Sequence, residues 1–128
     1  MLYVQGGNPN QRKLSQQLFN FCCEDLLLNT KKTIIDLNIH SVEGAMAWTD
    51  YEGDGKFFIE IEVSLTEGQF IITFCHEMIH VCQFLAGVEV SEVAAYQREQ
   101  DLSDRFKQSL RSLQNWFLDG VCGRVTTS

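Results

Sequence analysis

An α+β fold, with helices packed on one face of a small sheet, is predicted by the order of hydrophobic patterns in this sequence. A helical pattern opens the chain, alternating strand patterns fill its middle, and two helical patterns close it. The length of 128 residues gives a single domain, residues 1–128. Hydrophobic residues make up 45% and charged residues 21%, enough apolar material for a core and too little charge for a disordered chain.

The elements follow in order. Residues 4–10, rich in Gly and Asn, read as a loose lead-in. Across residues 11–28 Leu14, Leu18, Phe21, Cys22 and Leu28 recur at helical spacing, and Asn29 can end that helix. Residues 33–39 alternate from Ile35 onward and read as a strand. Residues 45–49 are a weaker strand, and residues 50–55 carry turn chemistry. In residues 57–63, Phe57, Ile59, Ile61 and Val63 oppose Glu60 and Glu62. This is the best strand pattern in the chain, and its polar side suggests an exposed face or a sheet edge. A small three-stranded sheet, antiparallel or mixed, is therefore expected.

Thr66 followed by Gln69 has the form of a capping box, so a helix should start there and stop at Gly87. Ser91 can cap a last helix, with Glu92 in its first turn. That helix should run to about Leu118, with a bend or break near residues 101–103. Trp48 and Trp116 are expected as core aromatics, and residues 123–128 as a frayed end.

Charge and cysteine usage remove whole classes. The formal net charge of −7 disfavours a phosphate backbone as partner, so no nucleic acid is expected. No apolar stretch approaches a membrane span, and the N-terminal residues lack a signal sequence, so the expectation is a cytoplasmic protein without a membrane partner. The 5 cysteines are odd in number and show no CxxC spacing, which argues against a disulfide framework or a thiolate zinc site.

One motif carries chemistry: His76-Glu77-Met78-Ile79-His80, an HExxH on an expected helix. Residues four apart lie about 40° apart around a helix axis, so both imidazoles face the same way one turn apart. Glu77 stands beside them and can serve as general base toward a metal-activated water. Thr73, Gln83 and Gly87 share the histidine side, while Ile72, Cys75, Ile79, Cys82 and Ala86 form an apolar side. A polar stripe within so apolar a helix suggests a cleft.

Catalytic zinc takes a third protein ligand and keeps one position open. Glu89, Glu92, Glu99, Asp101 and His40 are candidates. Glu92 fits best, because Gly87 permits a chain reversal and Glu92 then points back from the next helix. Glu99 is the alternative ligand, or a carboxylate that orients a histidine. The plain reading of Glu92 is a carboxylate at a helix N-terminus.

His76-Glu77-x-x-His80 followed by Glu92-x-x-Ala95-Tyr96 resembles the gluzincin branch of the zincin metallopeptidases. The closer likeness is to small stand-alone zincin-like proteins, many from phages and bacteria, with HExxHxxQ and then ExxA[Y/H]xxE. Here those positions are His76, Glu77, His80, Gln83, Glu92, Ala95, Tyr96 and Glu99. The likeness covers residues 66–100. It implies a zincin-like fold, one zinc ion held by His76, His80 and Glu92, and Glu77 as catalytic base. It also implies a peptide or protein substrate, docked along an edge strand, for which residues 57–63 are the expected element. It would suit a virus- or phage-encoded protein acting in a host cell. Many gluzincins carry Asp four residues after the ligand Glu, where this chain has Tyr96. Tyr96, Tyr51, His40 and Arg98 are the possible oxyanion donors.

The expected activity is a zinc metallopeptidase. The alternative is a catalytically inactive zincin-like domain whose metal is structural and which acts as a protein-binding module. Weaker signals have plainer readings. Asp50-x-Glu52-x-Asp54-Gly55 opens like an EF-hand loop, but its twelfth position is Ile61, so a hairpin turn is expected. The acidic run of residues 43–67 reads as a solvated face, Cys75 as a buried thiol and His40 as a surface residue.

Overall fold

The chain runs β1 (Leu2–Gly6), α1 (Pro9–Asp25), β2 (Ile34–His40), β3 (Ala47–Gly53), β4 (Lys56–Glu62), α2 (Glu67–Ala86) and α3 (Glu92–Leu118). The structure, a computed structural model, describes residues 1–118, with side chains through residue 113. Trp116, Cys122 and residues 123–128 therefore lie outside the described side chains. No described helix is long and apolar enough to cross a membrane.

The fold is α+β, but the sheet has four strands, not three, in the order β1-β2-β4-β3. The added strand is β1, which overlaps the expected lead-in at residues 4–6. Its Leu2 and Val4 face the core, and it pairs parallel to β2 with Leu2 opposite Ile35. β2 pairs parallel to β4, and β3 antiparallel to β4, so the sheet is mixed. This order overturns the edge assignment. Residues 57–62 fall in β4, which has neighbours on both sides, Val63 lies just past its end, and β1 and β3 are the edges, with β3 beside β4.

The turn between β3 and β4 is shorter than expected. β3 continues through Tyr51 to Gly53, and only Asp54 and Gly55 make the reversal, with φ of 54° and 76°. Two positive φ values are what a two-residue hairpin with strand-matched twist requires. A Cβ on Gly55 would lie 2.2 Å from the Lys32 carbonyl oxygen, so glycine is also demanded by packing. The segment that imitates a calcium loop is thus strand and hairpin.

α1 and α2 cover one sheet face, and α3 packs against these two helices. Ile35, Leu37, Ile39, Phe57, Ile59 and Ile61 meet Leu18, Phe19 and Cys22 of α1 and Phe70, Phe74 and Met78 of α2 in one core cluster. The other face carries Asp36, Asn38, Phe58 and Glu60. Trp48 stands on that face against Phe58, with 39% of its surface exposed, so it is not a core residue.

Both ends of α2 are fixed by local chemistry. Thr66 and Gln69 form the reciprocal capping box, and Gly87 closes the helix in the left-handed region at φ 70°. Ser91 Oγ accepts from the Ala94 amide and starts α3. α3 shows no break at residues 101–103. Leu102, Ser103 and Phe106 are buried, and Phe106 meets Phe21 of α1 edge-on at 5.5 Å. The helix is continuous through that segment, where its apolar side is docked.

Candidate metal centre

α2 touches α1, α3, β3 and β4, and its buried middle carries His76, Glu77 and His80. One turn apart on the same helix, the two imidazoles meet edge to face with ring centroids 4.7 Å apart. Their Nε2 atoms are 3.1 Å apart. Glu92, at the start of α3, brings one oxygen to 3.1 Å from His76 Nε2 and the other to 2.6 Å from His80 Nε2. Donor atoms of His76, His80 and Glu92 all lie within 4.8 Å of one another.

The far nitrogens determine what the near ones can do. His76 Nδ1 is 2.7 Å from Glu99 Oε2, and a carboxylate only accepts, so Nδ1 carries the proton. His80 Nδ1 is 2.9 Å from Gln83 Oε1. That oxygen is identified by its other partner, because the Ser91 N–H donates to it at 3.2 Å. The amide nitrogen of Gln83 in turn donates to the Ser91 carbonyl at 3.3 Å. His80 Nδ1 therefore carries a proton as well. In the neutral rings both Nε2 atoms are bare lone pairs, and they cannot hydrogen-bond each other. Two lone pairs and a carboxylate facing one point need a positive charge between them, either a shared proton or a cation.

Glu77 stands beside this cluster rather than in it. Its Oε1 accepts a 2.7 Å hydrogen bond from the Thr49 hydroxyl of β3. Burial pushes the Glu77 carboxyl up, while the Thr49 hydroxyl and the two histidines pull it back. The group is thus a buried acid with one oxygen tethered to the edge strand.

A cleft of about 650 Å³ opens over these residues. One wall is residues 44–49, the floor is the α2 face with Thr73, His76, Glu77 and His80, and the other wall is Glu92, Tyr96 and Glu99. Ile72 also lines it, so the apolar side of α2 is narrower than expected. The histidine side chains are 9% and 6% exposed, whereas Glu92 is 60% exposed, so the centre is closed from behind and open in front.

The other candidates are elsewhere. Glu99 takes the outer position on His76. Asp101 pairs with Arg105, Glu89 is exposed in the α2–α3 turn, and His40 pairs with Glu60 on the far sheet face. Of the four oxyanion candidates, Tyr51 has its hydroxyl engaged by the Gly55 amide and its ring stacked on Phe57 at 4.6 Å. Arg98 lines a separate cavity with Leu26 and Ile79. Tyr96 lines the cleft, its ring 4.7 Å from that of His76.

Two roles had little sequence signal. Thr49 looked like the end of a weak strand, and only the β3–α2 contact reveals it as the partner of Glu77. Gln83 stood on the polar stripe, yet its clamp on Ser91 depends on the tight turn at Gly87. Comparison with protein-family models, with curated proteins and with solved structures finds no match to this chain.

Proposed function

We propose that the chain is a zincin-like metallopeptidase that hydrolyses peptide bonds with one zinc ion per chain. The observation that carries this reading is the pair of histidines with both Nδ1 protons held by oxygen acceptors. Their Nε2 lone pairs converge with Glu92 beside a further carboxyl, that of Glu77, whose Oε1 is held by Thr49. Two imidazoles and a carboxylate are a donor set that zinc accepts. Zinc held there would polarise a carbonyl and make a water acidic near neutral pH.

The remaining chemistry belongs to this chain. Glu77 takes the proton from the attacking water and returns it to the leaving amine. Thr49 occupies Oε1 and leaves Oε2 for that water. A carboxyl raised by burial is better matched to both halves of the task than a solvated one. Tyr96, with a phenol on the cleft wall, is the donor for the oxygen on which negative charge develops.

β3 supplies the docking edge. The Glu62 amide donates to the Met46 carbonyl, one step beyond the Ala47–Ile61 pair in the same register. Alternation then turns Met46, Trp48 and Asp50 toward β4, and the amides and carbonyls of Ala47 and Thr49 toward the free edge. An extended peptide can add there as a further strand.

The test is metal content per chain, beside peptide turnover, for the wild type and two variants. The expected result is one zinc per chain with turnover in the wild type. Glu77→Gln should keep the zinc and lose turnover, and His80→Ala should lose both. Protein that takes up no zinc refutes the reading.

A further inference from the structure

We infer that the cleft takes an internal segment of an extended, apolar polypeptide; this substrate class rests on the peptidase reading above. Beside its polar floor the cleft is walled by Met46, Phe84, Val90 and Tyr96. Met46 is 57% exposed, Val90 39% and Tyr96 62%. Large apolar side chains left wet together inside a concave site mark the place of an apolar ligand. Val88 in the same turn and Val93 in the first turn of α3 carry the same character outward and are also exposed.

The charges in the cleft decide which part of a chain fits. No Lys or Arg lines it among the described residues, and Glu77, Glu92 and Glu99 all stand in it. A terminal carboxylate would meet these acids with no guanidinium or ammonium to hold it. A terminal ammonium finds no uncommitted acid, because Glu99 serves His76, Glu92 faces both histidines, and Glu77 is tied to Thr49. A peptide without free ends in the cleft avoids both problems. From Ala47 to Tyr51 the edge of β3 spans roughly 14 Å at about 3.4 Å per residue, room for about five residues of an added strand.

The test is equilibrium binding of octapeptides, acetylated and amidated at their ends, to zinc-loaded Glu77→Gln protein of full length. Three sets are compared, with Leu/Phe, Lys/Arg or Asp/Glu at the central positions, beside the central Leu/Phe tetrapeptide as free acid and as amide. The expected result is that the Leu/Phe set binds at least about tenfold tighter than either charged set, and the amide tighter than the free acid. Adding Val90→Lys should weaken the Leu/Phe set by about tenfold with zinc content unchanged. Equal or tighter binding of a charged set, tighter binding of the free acid, or no binding of any peptide overturns the inference. Wild-type protein that binds the Leu/Phe set and leaves it uncut overturns the peptidase reading and leaves this inference standing.

Discussion

Glu99 holds His76 from behind: its Oε2 lies 2.7 Å from His76 Nδ1, while Glu92, two helical turns earlier on α3, reaches the front nitrogen of the same ring. One helix thus supplies both the partner that faces the candidate metal and the one that aims a ligand at it. Carboxylates behind metal-binding histidines set the tautomer and raise ligand basicity. Glu99→Ala should lower zinc affinity by about 10- to 100-fold, and Glu99→Gln, which keeps an acceptor oxygen, by less. Chelator competition measures both, and an Ala variant with wild-type affinity would remove Glu99 from the site.

Gln83 joins the site to the turn that builds it. Its amide serves His80 Nδ1, the Ser91 N–H and the Ser91 carbonyl together, and it is 8% exposed. Gln83→Ala leaves those groups short of partners in a poorly solvated place. The metal-free protein should lose about 1–3 kcal/mol in urea unfolding. Zinc affinity should fall too, because Glu92 follows Ser91 directly. A variant that keeps both values would show that the clamp is incidental.

Zinc binding should appear as stability. A ligand that binds only the folded chain adds about 4 kcal/mol when its free concentration is 1,000 times its Kd. Thermal unfolding should therefore shift upward with zinc and return with chelator. His80→Ala and Glu92→Ala should abolish the shift, whereas His40→Ala, on the far sheet face, should leave it intact. A wild-type melting curve indifferent to zinc would count against a site at His76, His80 and Glu92.

The elements that could be read from the sequence were those whose ends are chemically marked. Thr66, Gln69 and Gly87 bound α2, and Ser91 opens α3, so the HExxH motif and its third ligand could be placed on adjoining helices. β1 escaped because Leu2 and Val4 offer only two alternating apolar residues, and its reason to exist is a partner some 30 residues away on β2. The edge was misplaced for a more general reason. Glu60 and Glu62 report that one face of β4 is wet, and alternation says nothing about which side of a strand lacks a neighbour. Topology put β4 inside the sheet and left β3, with the weaker pattern, at the cleft. Thr49 was hidden for the same reason, since its contact with Glu77 exists only because β3 is the strand beside α2.

The last prediction concerns acid stability and rests on Glu62, away from the metal centre. The backbone N–H of Val42, then that of Ser64, donates to its carboxylate, and these bonds hold its pKa below the reference value of 4.5. A carboxyl whose folded pKa is depressed binds protons more weakly folded than unfolded. Its contribution is complete above the unfolded pKa and is lost as pH falls through the lower folded value. Glu62→Gln removes the titration, so the fall in stability between pH 5 and the acid-unfolded state should be shallower than in the wild type. Urea midpoints across that range test this, and parallel curves would mean that the Val42 and Ser64 bonds do not persist in solution. The loop that the Val42 bond ties to Glu62, residues 41–46, ends in the wall of the cleft at Gly44, Ala45 and Met46. The same variant should therefore loosen peptide binding at neutral pH without changing zinc content.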